Sequence, residues 1–212
     1  MIQLHDICFA YDETPVLSHF NMEVARGEFV VIKGDNGCGK TTLLGIINAL
    51  LFPEKGTYLF DGTEITKKST RVDKVVNDLH RRIGYVFQNT EVQLFCPTVE
   101  DELAFAPRQT NLTEEEIRTR VDDVLRLLEI EHLRRRAPYQ LSMGEKKKVA
   151  LGAVLTVNPE VLILDEPMNF LDKKSREWLT AFLLKMKAAG KTILVVSHTD
   201  DFDALCDRLL SM

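Results

Sequence analysis

Two short runs, "VLILDEP" ending at Pro167 and "KTILVVSH" ending at His198, limit the folds open to this chain more than any other feature. Each is almost wholly apolar and lacks the alternation of a strand with one face in water. Such runs are the central strands of a parallel sheet, buried on both faces, and parallel strands need crossover connections that are usually helical. Between the runs, a helix is expected from about Lys173 to Ala189, with Gly190 as its C-cap. Strands alternating with helices make the chain α/β with a mainly parallel sheet.

The remaining elements fit around that sheet. "IQLHDICFAY" and "VLSHFNMEV", joined by "DETP", alternate apolar and polar residues and read as an N-terminal antiparallel hairpin. "EFVVIKG" reads as a short strand, followed by a Gly-rich loop and an apolar helix "TTLLGIINALL" that Pro53 stops. "GTYLFDG" and "RRIGYVFQ" read as strands, the second with basic residues at its start. Thr113 and Glu116 form a capping box before a helix whose Ile117, Val121, Val124, Leu125 and Leu128 share one face. Ser142 and Glu145 repeat the device before "KKKVALGAVLTV", which ends near Asn158–Pro159. The stretch from about 89 to 160 is thus an inserted, mostly helical subdomain within one domain spanning 1–212. "YQLSMGEKKK" is either an ordinary helix start or half of a phosphate site whose other half lies elsewhere.

Composition excludes several classes. The net charge of −5 over 212 residues argues against a general nucleic-acid binder. The basic runs Arg134–Arg136 and Lys146–Lys148 read as solvated helix faces. Cys8, Cys38, Cys96 and Cys206 are far apart, which suggests neither a zinc site nor a disulfide framework and fits a reducing cytosol. The N-terminus lacks a signal-peptide layout. The longest apolar stretch, "LLGIINALLF", holds Asn48 and is too short to span a bilayer. At a membrane, this chain is expected to work as a peripheral subunit.

The chemistry concentrates in a few segments. "GDNGCGKTT" at Gly34–Thr42 fits G-x-x-x-x-G-K-[ST] between an expected strand and an expected helix. The loop Asn36, Gly37, Cys38 and Gly39, with Lys40, Thr41 and Thr42, would cradle phosphates on backbone N–H groups at a helix N-terminus. Lys40 would reach the β- and γ-phosphates, and the Thr41 hydroxyl would reach Mg²⁺. A structural Gly-rich turn is the bland alternative. Asp165 ends a central strand, where open α/β sheets bind ligands, and can hold Mg²⁺. Glu166 is the candidate general base that orients the attacking water. These two carboxylates could instead cap the next helix. His198 and Gln88 follow strand ends in comparable positions, His198 to face the phosphate and Gln88 to reach the metal or the water. Tyr11 follows the first strand and could stack on an adenine ring.

The order of phosphate loop, Gln88, "LSMGE", "LDE" and His198 resembles that of the ATP-binding-cassette ATPases, from Tyr11 to the C-terminus. The resemblance implies a phosphate-loop NTPase core with an antiparallel N-terminal subdomain and an inserted helical subdomain. It also implies ATP and Mg²⁺ as cofactors, and a second cassette subunit as partner. "LSMGE" matches the signature loop, usually LSGGQ, so Ser142 and Gly144 would bind in trans the γ-phosphate held by a second molecule. "NFLD" at Asn169–Asp172 matches the loop that crosses the dimer interface.

A narrower resemblance lies in "FQNTEVQLFCPTVEDELAFAPRQTNL" and "EKKKVALGAVLTVNPEVLILDEP". These look like the ATPase subunits of energy-coupling-factor importers, which take up cobalt, nickel, biotin and other vitamins. That likeness implies a motor on the cytoplasmic face of the cell membrane, with "VQLF" docking on an integral membrane subunit and plain core packing as the alternative. Met143 departs from the signature where Gly is usual, and Cys38 stands where Ser or Ala is frequent. The family often continues into a helical C-terminal domain; a chain stopping at Met212 is expected to lack it. The rival readings are a soluble cassette ATPase of repair, translation or assembly, and a low-turnover regulatory nucleotide-binding module.

Overall fold

The structure, a computed structural model, describes residues 1–212 apart from Asn36 and Val72. In chain order its strands and helices are β1 (Ile2–Tyr11), β2 (Thr14–Val24), β3 (Phe29–Lys33), α1 (Lys40–Ile47), β4 (Lys55–Phe60), β5 (Thr63–Glu64) and α2 (Asp73–Arg82). There follow β6 (Ile83–Val86), α3 (Val99–Arg108), α4 (Glu114–Leu127), α5 (Met143–Leu155), β7 (Val161–Asp165), α6 (Lys173–Ala188), β8 (Thr192–Val196) and β9 (Arg208–Ser211).

The expected parallel sheet is present in the order β6-β7-β8-β3-β9, and the two apolar runs β7 and β8 are its buried centre. Alternate residues of these strands face two separate cores. Phe29, Val31, Leu162, Leu164, Ile193 and Val195 pack against α3 to α6. Val30, Ile32, Val161, Ile163, Leu194 and Val196 pack against α1 and a second sheet, antiparallel, in the order β2-β1-β4-β5. A strand with both faces buried has no polar side to alternate, which is why its sequence is continuous in apolar residues.

Both capping boxes form. Thr113 and Ser142 each accept from the N–H three residues on, and Glu116 and Glu145 accept from the cap N–H in return. Two boundaries differ from the expectation. The helix after the phosphate loop stops at Ile47, well before Pro53, because Ala49 turns left-handed and the N–H groups of Leu50 and Leu51 both bond Gly45 O. That return seats Leu51 on Gly45, where an added Cβ would lie 2.8 Å from Leu51 Cδ1. Arg81 and Arg82, expected to open a strand, instead end α2. Arg82 pairs there with Asp61 at 2.8 Å and Glu160 at 2.7 Å, joining the two sheets.

The reading of Lys146–Lys148 as a solvated face is overturned. Lys146 and Lys147 are buried, and Lys148 lies over the Trp178 ring, 4.4 Å from its centroid. Arg134 also pairs, with Glu100 and Asp122, while Arg135 stays exposed. Among the described residues the four cysteines are free, and no helix is long and apolar enough to cross a membrane.

A candidate nucleotide site at the strand ends

The carboxyl ends of the parallel strands open into a cleft of about 340 Å³. Tyr11, Gly37, Gly39, Lys40, Thr41, Thr42, Gln88, Asp165 and Glu166 line it, so residues far apart in sequence meet as the motifs require. Asn36 lies outside the described residues. Cys38 is half-buried beside the cleft, its N–H turned to Asp35 O at 3.3 Å.

The phosphate loop is held by its glycines. Gly39 has φ 103°, and a Cβ there would lie 3.0 Å from Val16 Cγ1, so only glycine lets the loop pass the β1–β2 hairpin. Lys40 is buried, and its Nζ donates to the loop's own carbonyls, Gly34 O at 2.7 Å and Asp35 O at 2.9 Å. The ammonium is thus already at the loop's centre. Thr41 is exposed in the cleft at the first turn of α1, whereas Thr42 turns inward.

Asp165 is buried at the end of β7. Burial raises its carboxyl above the ordinary value, and Glu166 adds to the rise, against the Tyr85 hydroxyl, Lys40 and Lys147. Tyr85 Oη donates to Asp165 Oδ2 at 3.3 Å. Neither Asp165 nor Glu166 caps the next helix: Asp172 does so, accepting from Ser175 N at 2.7 Å. That removes the structural alternative for the carboxylate pair. Glu166 has φ 42°, a left-handed backbone rare for such a residue and costly enough to mark functional sites. His198 Nδ1 lies 2.8 Å from Glu166 Oε2, so His198 joins the cleft through that carboxylate.

Tyr11, half-exposed, lines the cleft and meets Phe9 edge to face with ring centroids 5.0 Å apart. Ser142 and Gly144 are not among the residues that line the cleft; they stand at the N-terminus of α5. Sequence reasoning missed Tyr85 and Lys147, both drawn to Asp165 only by packing.

Comparison with known proteins agrees with this geometry. A family model described as ABC transporter matches residues 17–169. The nickel import ATP-binding protein LarO of Lactiplantibacillus plantarum is 44% identical over 93% of this chain and 82% of its own length. The energy-coupling factor transporter ATP-binding protein EcfA2 of Clostridium tetani is 37% identical over 100% of this chain and 75% of its own length. Among solved structures, cbiO1 from Clostridium perfringens, described as part of the ABC transporter complex cbiONQ, superposes with a TM-score of 0.89 at 36% identity, covering 100% of this chain and 84% of that one. The phosphate loop, the strand-end carboxylates and these likenesses converge: the chain belongs to the ABC transporter family, as an ATP-binding subunit that hydrolyses ATP.

Proposed function

We propose that this chain is the motor subunit of an energy-coupling-factor importer for a metal ion or vitamin. It sits peripherally on the cytoplasmic face of the membrane and pairs with a second cassette around two ATP. The observation that carries the reading is an exposed apolar patch containing two aromatic rings. Val92, Phe95 and Phe105 are 69%, 65% and 44% exposed, and the rings of Phe95 and Phe105 meet edge to face at 4.9 Å. Phe95 and Phe105 border a groove of about 200 Å³ with Ala106 and Val154. Clustered aromatics at a groove rather than scattered singly mark a docking surface. Buried Glu102 accepts from Phe95 N at 2.9 Å and Cys96 N at 2.7 Å, which fixes the loop that presents the ring. Leu94, expected with Phe95 in the docking surface, instead turns into the core.

In the cleft, Glu166 takes the role of general base, with His198 orienting it. Thr41, Gln88 and Asp165 offer hard oxygen donors suited to Mg²⁺, which supplies charge neutralisation at the phosphates when bound. Among the described residues no cluster of three His, Cys, Asp or Glu side chains could cage a metal, as suits an ion held largely by the nucleotide. Ser142 and the N–H groups of the first turn of α5 serve the partner's γ-phosphate.

The reading is tested by purifying the tagged chain from solubilised membranes of its own cell and measuring metal and vitamin uptake after deletion of its gene. An integral membrane protein in stoichiometric amount, with uptake of one substrate lost, is expected. Recovery only from the soluble fraction, with all uptake intact, overturns it.

A further inference from the structure

We propose that Lys147 and Lys146, in the first turns of α5, are positioning residues for ATP hydrolysis that hold Gln88 in the cleft through the main chain of residues 87–91. Lys147 is 2% exposed, yet it pairs with no carboxylate within salt-bridge distance among the described residues. Its Nζ lies 3.4 Å from Phe87 O and 3.5 Å from Gln88 O. A buried ammonium is expensive, and a methionine would fill the same space at lower cost. The ammonium is directed to those two carbonyls; burial lowers its pKa to about 8, and the Asp165 charge opposes that fall. One turn-edge away, Lys146 Nζ meets Glu91 Oε1 at 2.5 Å.

A third side chain completes the hold. β6 is an edge strand with β7 on one side alone. Gln93 Oε1 accepts from Phe87 N at 2.9 Å, and its Nε2 donates to Tyr85 O at 3.2 Å. That side chain bonds residues i and i+2 as the N–H and C=O of one residue on a parallel neighbour would. The chain leaving β6 is thus fixed at Tyr85 and Phe87 by Gln93, at Phe87 and Gln88 by Lys147, and at Glu91 by Lys146. Gln88 lies between these ties, and its side chain lines the cleft. Because Lys147 stands on the helix that begins at Ser142, about 7–8 Å along its axis, a shift of that helix moves the support of Gln88.

The inference rests on the reading of Gln88 as a group that acts in the cleft, and Gln88→Ala tests that reading by itself. Steady-state Mg-ATP turnover is measured for the full chain and for Lys147→Met, Lys147→Arg, Gln88→Ala and the Gln88→Ala/Lys147→Met double variant. Lys147→Met is expected to lower kcat about tenfold with KM changed less than about twofold, and Lys147→Arg to keep most of the activity. In the Gln88→Ala background, Lys147→Met should cost nothing further, because residues acting through one group are not additive. An equal additional loss there, or unchanged kcat in Lys147→Met, overturns the proposal. Unchanged turnover in Gln88→Ala overturns the reading beneath it and the inference with it. If Lys147→Met fails to fold, the Glu91–Lys146 pair carries the test: Glu91→Lys and Lys146→Glu should each lower kcat, and the double reversal should restore it. A double reversal as slow as either single one overturns the proposal.

Discussion

Glu166 and His198 face each other across two neighbouring strand ends, Oε2 to Nδ1 at 2.8 Å. The pairing follows from the sheet: Glu166 N donates to Val196 O at 2.9 Å, which sets the carboxylate level with the residue two past the end of β8. His198 N also donates to Glu166 Oε2 at 3.4 Å. The left-handed backbone at Glu166 is held by these contacts, and Glu166 lines the cleft. If Glu166 is the general base, as proposed, a carboxylate fixed in this way needs no search for its geometry when the nucleotide arrives.

Glu166→Gln should therefore keep ATP binding and lower turnover by a factor on the order of 10²–10⁴. The amide preserves shape and the His198 contact but accepts no proton. Single-turnover hydrolysis beside equilibrium nucleotide binding checks this, and near-normal turnover would remove Glu166 from the role.

Asp165 gives the opposite trade. Burial raises its carboxyl, so the folded state disfavours the charged form. Asp165→Asn should raise the Tm of the nucleotide-free protein by a few degrees while abolishing hydrolysis. Calorimetry without Mg²⁺ checks it; a lower Tm would show that Lys40 and Lys147 depend on that charge more than it costs.

The loop from Val92 to Phe95, proposed to dock on a membrane subunit, separates two roles that its sequence runs together. Phe95→Ser and Val92→Ser should weaken association with a membrane partner and leave ATP binding and folding intact. Leu94, 9% exposed and in the core, should behave differently: Leu94→Ala should cost about 2–5 kcal/mol of stability. Urea unfolding and co-purification, run on the same three variants, distinguish the two outcomes.

Met143 is the first residue of α5, half-buried, after the Ser142 cap. The Ser142 hydroxyl already donates to Glu145 Oε2 at 2.8 Å, and Gly144 is packed so that an added Cβ would lie 2.4 Å from Ser175 Oγ. The cap sets this turn without help from residue 143. Met143→Gly should change ATPase turnover by less than about tenfold, below the roughly tenfold to hundredfold that one hydrogen bond to a charged group, about 1.5–3 kcal/mol, would be worth. A larger rise would mean that the thioether crowds the site formed with a second cassette.

Acid should unfold the protein through identifiable carboxylates. Arg82 and then Arg26 hold Asp61 below its ordinary range, Arg82 does the same for Glu160, and the Ser142 N–H for Glu145. Each is depressed in the folded state, so its contribution is complete above the ordinary carboxylate range and is lost as pH falls through the folded value. Urea midpoints should drop steadily from pH ~5 to pH ~3. Arg82→Met should flatten that slope; an unchanged slope would place the acid sensitivity elsewhere.

The strands β3, β7 and β8, the phosphate loop, both capping boxes and the apolar face of α4 could be read from the sequence, because each is a local pattern with a local physical cause. Buried parallel strands are apolar throughout, phosphate loops need their glycines, and a cap needs its acceptor. The helices α2 and α3 could not be read so easily. The first has only Val75, Val76 and Leu79 as apolar residues, and the second carries Pro107 in its last turn. The burial of Lys146 and Lys147 was illegible for another reason. A basic run looks solvated until the chain leaving β6 is folded against it, and only then do the Phe87 and Gln88 carbonyls and Glu91 supply partners. Leu94 and Phe95 likewise differ in fate only by the direction the loop takes. The sequence by itself determined the sheet and the residue types at its carboxyl edge, since both depend on neighbours in the chain. Tertiary structure alone decided which side chains support them, because burial and charge pairing depend on what distant segments bring into contact.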